Sequence, residues 1–120
     1  MITDRLIDAV IEKHNPCIVG LDTDFNKIPP FIQKDFLEKY TDWYEAAAQA
    51  IYYFNQCIID AIDDVVAEVK IQIAFYEQYK HYGIKAFEQT ILYAKSKKLI
   101  VIEDGKRNDI SNTAKAYSNG

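Results

Sequence analysis

LIVIEDGKRNDI, residues 99–110, sets four apolar residues directly before two acids, a glycine, a lysine, an arginine, an asparagine and a further acid. An apolar run of that length, bounded by a charged loop, reads as a buried strand. With a period of two, Asp104 and Lys106 fall on one face, and Asp109 follows a short loop away. Working back along the chain, Ile84, Phe87, Ile91 and Ala94 recur at helical spacing after Gly83. KSKK at 95–98 places lysines where a helix's negative end favours them. A strand therefore follows a helix, and the charges follow the strand.

The same unit recurs upstream. In VAEVKIQIAF, 66–75, Val69, Ile71 and Ile73 alternate with Glu68, Lys70 and Gln72, a strand pattern that sends polar side chains to one face. A long helix is predicted from about Asp42 to Asp63, where Ala47, Ile51, Phe54 and Ile58 form a stripe without Gly or Pro. CIVGLD, 17–22, reads as a short buried strand closed by the loop TDFNKIPP, whose two prolines rule out continued pairing. Thr3 can cap a first helix through Leu6, Ile7, Val10 and Ile11, ending near Asn15-Pro16, and a last helix is expected from Ser111. Alternating helices and strands predict an α/β fold with parallel strands joined by right-handed crossovers. Three strands leave two open edges, so the pattern matches the beginning of a larger α/β sheet or barrel.

Composition narrows the function. The 120 residues suit one domain, and 49% apolar residues are enough for a core. With 14 basic and 18 acidic residues, the net charge of -4 gives no general attraction to nucleic acid or anionic membrane. Acids interrupt the N-terminal MITDRLIDAV, and no run approaches the roughly 20 apolar residues that span a bilayer. A soluble, cytoplasmic protein is expected. Cys17 and Cys57 are read as buried thiols, too few for a disulfide framework or zinc site. His14, at a helix end, and His81, in a polar loop, are expected to be solvated. The nine tyrosines fit packing and partial exposure as well as base stacking. No glycine-rich phosphate loop, Ser-His-Asp set or metal-ligand spacing is present.

Parallel α/β folds place working groups at the carboxyl ends of their strands. Asp22 ends the first predicted strand, the second carries Lys70, and the third ends in Asp104 and Lys106 with Asp109 near. A lysine between Val69 and Ile71, or a carboxylate just after LIVIE, needs an opposite charge if buried. Lys70, Asp104, Lys106 and Asp109 could form an alternating network that keeps Lys106 protonated and suited to general-acid work. A salt-bridge cluster closing the end of a sheet accounts for the spacing equally well. Asp22 is open in the same way, as a ligand contact or as a cap for the turn that follows.

DGKRNDISNTAKAYS, 104–118, resembles the Asp-x-Lys-x-x-Asp-Ile-x-x-Thr signature of the orotidine 5'-phosphate decarboxylases. VKIQIAFYE, 69–77, resembles that family's second-strand lysine motif, and VGLDTD, 19–24, is similar to its first-strand motif. The three lie in family order and together cover nearly the whole chain. The resemblance implies that residues 1–120 are the N-terminal three βα units of a single (β/α)8 TIM barrel. It implies conversion of orotidine 5'-phosphate to uridine 5'-phosphate, a step of pyrimidine biosynthesis, without metal or organic cofactor. By position, Lys106 would protonate C6 and Asp104 would lie beside the departing carboxylate. Lys70 would bind ribose and support Asp104, and Asp22 would contact a ribose hydroxyl. Asp109 and Thr113 would reach the neighbouring subunit's site in a homodimer.

The magnesium-dependent sugar-phosphate decarboxylases and synthases of the same superfamily share Asp-x-Lys-x-x-Asp but carry an acid where this chain has Lys70. A lysine there would repel the metal, which oxygen ligands hold. The family's later loops, which grip phosphate and close over the pyrimidine, have no counterpart within these 120 residues. The chain alone is therefore expected to be nearly inactive, as part of a longer enzyme. The alternative from another class is a non-catalytic chain acting through its open sheet edge.

Overall fold

The structure, a computed structural model, describes residues 17–103. The helices expected over 3–15 and from Ser111 lie outside the described residues. Strands β1 (Ile18–Gly20), β2 (Glu68–Ile71) and β3 (Ile100–Glu103) form one parallel sheet with β2 in the centre. The predicted α/β architecture is therefore present. Three rungs cross all three strands, Ile18 with Glu68 and Ile100, Val19 with Val69 and Val101, and Gly20 with Lys70 and Ile102.

The chain leaves β1 through a 3-10 turn at Phe25–Lys27, then enters α1 (Pro30–Lys39) and α2 (Trp43–Ile62). Helix α1 was not predicted. The two prolines do end strand pairing, but Pro30 also occupies the first helical turn, where its fixed φ fits and a missing N–H costs nothing. Helix α2 begins where expected, with the Asp42 carboxylate accepting from the amides of Tyr44 and Glu45 at 2.8 and 3.3 Å. Its buried face differs from the predicted stripe. Ala47, Ile51, Asn55 and Ile59 are buried, whereas Phe54 and Ile58 are only partly so. The inward row follows the i, i+4 ridge through an asparagine, which an apolar count passes over.

Strand β2 stops sooner than its alternation suggests. Phe75 N–H and Tyr76 N–H donate to the carbonyls of Gln72 and Ile73, turning the chain into the short helix α3 (Ala74–Glu77). Helix α4 (Lys80–Ser96) then starts before Gly83 rather than after it. Gly83 lies inside the helix because α3 crosses there: a Cβ would stand 1.8 Å from the Tyr76 carbonyl oxygen. The predicted α4 stripe holds, with Phe87, Ile91 and Ala94 buried and Ile84 packed against the core.

Leu21, Val69 and Ile71 join the inner faces of α2 and α4 in one apolar cluster, with Val19 and Val101 packed against it. Cys17 and Cys57 are exposed, contrary to expectation: the first precedes the strand and the second lies on the outer face of α2. His81 is exposed as expected, although it lies in the first turn of α4 and not in a loop, its ring 4.0 Å from that of Tyr82.

Candidate functional site

Residues in register across parallel strands project to the same side, and successive residues alternate. The rung of Val19, Val69 and Val101 belongs to the helix-facing core, so Gly20, Lys70 and Ile102 face the other way. Lys70 is half-buried there, beside a glycine that contributes no side chain. A Cβ built on Gly20 would meet only Asp22 Oδ2, at 3.9 Å, so the space next to Lys70 stays open on the β1 side.

Asp22 stands just past the carboxyl end of β1, half-buried, and its Oδ1 accepts from the Gln72 amide at 3.1 Å. This bond carries pairing one step beyond the strands: Leu21 N–H donates to the Lys70 carbonyl at 2.8 Å, and Gln72 N–H then takes a side chain instead of a backbone partner. Asp22 therefore links the ends of β1 and β2 and is not confined to its own turn. Asp22 and Lys70 are thus brought to one end of the sheet, whereas Asp104, Lys106, Asp109 and Thr113 lie outside the described residues.

A buried polar network beneath this rim escaped the motif reading. Asn55, on α2, accepts from Thr23 Oγ1 at 2.6 Å and donates to Tyr76 OH and Thr90 Oγ1 at 2.9 and 3.2 Å. Tyr76 OH donates to the Leu21 carbonyl, and Thr90 Oγ1 to the Ala86 carbonyl. Burial pushes the Tyr76 phenol upward, keeping it a neutral donor. Nearby, Tyr79 OH accepts from the Phe25 amide at 3.0 Å, and Trp43 packs against both rings. The sequence signal was the asparagine at 55, one helical step from Ile51 and from Ile59.

Glu68 was read only as a polar member of the alternation. It shares the Lys70 face at the amino end of β2, is 4% exposed, and its Oε2 has no hydrogen-bond partner. Desolvation raises its carboxyl pKa above the ordinary value. Among the described residues no group of three His, Cys, Asp or Glu side chains is placed to hold a metal ion, and no helix is long and apolar enough to cross a membrane.

Known proteins are similar to this chain in sequence and fold. Proteins named orotidine 5'-phosphate decarboxylase from Caldicellulosiruptor saccharolyticus and Clostridium acetobutylicum are 41% and 43% identical over 117 and 118 residues. One from Clostridium botulinum strain Loch Maree is 45% identical over 118 residues. Each alignment covers 98% of this chain and 38% of the relative, so the chain spans well under half of their length. A crystal structure described as a candidate orotidine 5'-phosphate decarboxylase from Streptomyces avermitilis superposes with a TM-score of 0.66 at 27% identity, covering 97% of this chain and 36% of that one. The sequence model of the Orotidine 5'-phosphate decarboxylase / HUMPS family matches residues 38–119, from the end of α1 through β3 and the charged stretch after it, and the chain belongs to that family.

Proposed function

We propose that this chain supplies the first three βα units of a single (β/α)8 barrel that decarboxylates orotidine 5'-phosphate to uridine 5'-phosphate. The observation that carries the reading is the convergence of Asp22 and Lys70 at the carboxyl end of a parallel sheet whose third strand runs in sequence straight into Asp104-x-Lys106-x-x-Asp109. Barrel enzymes build their sites at that end.

The chemistry needs a positive charge near C6 and a proton to deliver there. As the bond from C6 to the carboxylate carbon breaks, carbon dioxide departs and the electron pair stays on C6. The Lys106 ammonium donates its proton to C6, and the neutral amine regains one from solvent. Asp104 lies beside the departing carboxylate and holds Lys106. Lys70 binds ribose and supports Asp104, and Asp22 accepts from a ribose hydroxyl. Preorganised charge lowers the barrier, with no metal or organic cofactor taking part. Asp109 and Thr113 reach across a homodimer into the neighbouring site, and the enzyme works in the cytoplasm on a free nucleotide, with neither nucleic acid nor membrane as a partner.

The test follows orotidine 5'-phosphate absorbance, in the presence of chelator, for this chain and for the chain extended through the downstream coding sequence. Turnover is expected in the extended protein and almost none in the chain alone. Lys106→Ala in the extended protein should lower turnover at least about a hundredfold while leaving it folded. A folded extended protein that is inactive would reject the reading in favour of the magnesium-dependent sugar-phosphate chemistry or a binding role for the charge cluster. Near-normal turnover by the Lys106 variant would remove Lys106 as the proton donor.

A further inference from the structure

We infer that Asn55 is a positioning residue for Asp22, acting through the residues on both sides of it, the Thr23 hydroxyl and the Leu21 carbonyl. The role of Asp22 in this inference rests on the proposed decarboxylase reading; the geometry stands apart from it. Asp22 follows β1, and its neighbours in sequence are both held from below. The Leu21 carbonyl accepts from Tyr76 OH, which itself accepts from Asn55 Nδ2 at 2.9 Å, and Thr23 Oγ1 donates to Asn55 Oδ1 at 2.6 Å. A single amide thus reaches the chain on either side of Asp22, directly at Thr23 and by way of Tyr76 OH at Leu21.

The protons in this network have one consistent arrangement. Asn55 sends one N–H to Tyr76 and the other to Thr90, whose own hydroxyl is committed to the Ala86 carbonyl at 2.7 Å. Tyr76 spends its proton on Leu21, and Thr23 spends its proton on Asn55. The position therefore needs two donors and an acceptor on a short, planar group, which describes asparagine. Aspartate lacks the donors, leucine lacks all three functions, and glutamine is a methylene too long for a fully buried site. Asn55, Tyr76 and Thr90 are 0%, 0% and 1% exposed, so water cannot replace a missing partner without opening the core.

The network also fixes what Asp22 faces. Tyr76 lies in the short helix after β2, and Gln72, whose amide donates to Asp22 at 3.1 Å, lies at the start of the same turn. Asn55 therefore ties the loop that carries Asp22 to the one that follows Lys70, setting the separation of two groups proposed to touch the same ribose.

The experiment is a double-mutant cycle in the extended protein, with Asp22→Asn, Asn55→Leu and the pair, reading kcat and KM for orotidine 5'-phosphate. Asn55→Leu should lower kcat/KM about tenfold, the scale of one lost buried hydrogen bond, and mostly through KM. Once Asp22 is already Asn, the second change should cost almost nothing. Thr23→Val, which keeps shape and removes the hydroxyl that bonds Asn55 and also meets the Tyr76 phenol, should give a smaller loss of the same kind and serves if the leucine variant does not fold. Hydrogen exchange at the Gln72 amide supplies a readout independent of turnover: Asn55→Leu or Thr23→Val should speed it, as Asp22 loses its alignment. Fold-changes that multiply in the pair, or Gln72 exchange unaltered in a folded variant, would overturn the positioning role. An inactive wild-type protein would reject the decarboxylase reading, and the exchange measurement would still decide whether Asn55 sets Asp22.

Discussion

The two faces of the sheet follow opposite rules. The helix-facing side, built on Val19, Leu21, Val69, Ile71 and Val101, is apolar and closed by α2 and α4, and the polar groups beneath it, at Asn55, Tyr76 and Thr90, are all hydrogen-bonded. The opposite side carries Gly20, Glu68, Lys70 and Ile102, including a buried carboxylate oxygen without a hydrogen-bond partner. A closed face gains stability from matched partners, whereas charges held on a sheet face carry a desolvation cost that the rest of the fold must offset. The closed face should therefore be the sensitive one when mutated, and the charged face should yield stability when its charges are removed.

Gly83→Ala is the severest test of the closed face. The new methyl carbon would stand 1.8 Å from the Tyr76 carbonyl oxygen and 2.9 Å from Tyr79 Cβ, so α4 must move away from α3, taking Phe87 and Ile91 with it. A loss of about 3 kcal/mol is expected from urea denaturation. Because the same shift disturbs Tyr76 and hence the Leu21 carbonyl, the Gln72 amide should also exchange faster. A loss below about 1 kcal/mol would mean that α4 can slide without cost and that this side is less closed than it looks.

Glu68→Gln tests the charged face, with the opposite sign. Burial raises the Glu68 carboxyl pKa, so the folded protein holds its proton more tightly than the unfolded chain does. The unfolded chain consequently binds fewer protons as pH rises from the ordinary carboxylate range through the raised value, and stability falls across that window. The amide has no such titration. At about pH 8 the variant should be more stable than the parent by about 1 kcal/mol, and the gap should close toward about pH 4, where both side chains are neutral. A gap that does not change with pH would show that the carboxylate is ionised without cost and that the two faces do not differ in this respect.

How far the fold could be read from sequence follows the same division. Period-two alternation located β2, short apolar runs located β1 and β3, and helical spacing located α2 and α4, because burying an apolar face imposes these patterns. Strand β2 was drawn too long because Ile73 continues the alternation in sequence, while Asp22, fifty residues earlier, takes the next amide and releases the chain into α3. Helix α1 was missed because Pro29 and Pro30 mark the end of one element and the start of another with the same residues. For the site, charge at strand ends singled out Asp22 and Lys70. Asn55 carries no charge and matches no motif; only its hydrogen-bond partners, Thr23, Tyr76 and Thr90, distant in sequence, give it a role.

The smallest expected change belongs to neither face and serves as their control. Helix α4 ends in a Schellman motif, with Leu99 N–H donating to the Ala94 carbonyl and Lys98 N–H to that of Lys95, at 3.1 and 2.9 Å. That geometry puts Lys98 at φ 65°, a left-handed conformation that glycine adopts without a Cβ penalty. Its side chain is exposed, and KSKK, read for its charge, conceals this conformational demand. Lys80 is also left-handed, at φ 60°, but its ammonium lies 4.2 Å from the centre of the Tyr44 ring, so replacing it would remove a cation–π contact as well. Lys98→Gly is the cleaner change. Relief of backbone strain outweighs the added freedom of the unfolded chain and a weakened charge at the helix end, leaving a gain of about 0.5 kcal/mol in urea denaturation. The gain should be the same at about pH 4 and about pH 8, since the strain it relieves lies in the backbone. If it instead followed the pH dependence of Glu68→Gln, that dependence would belong to the whole domain, and the contrast between the two faces would lose its electrostatic basis.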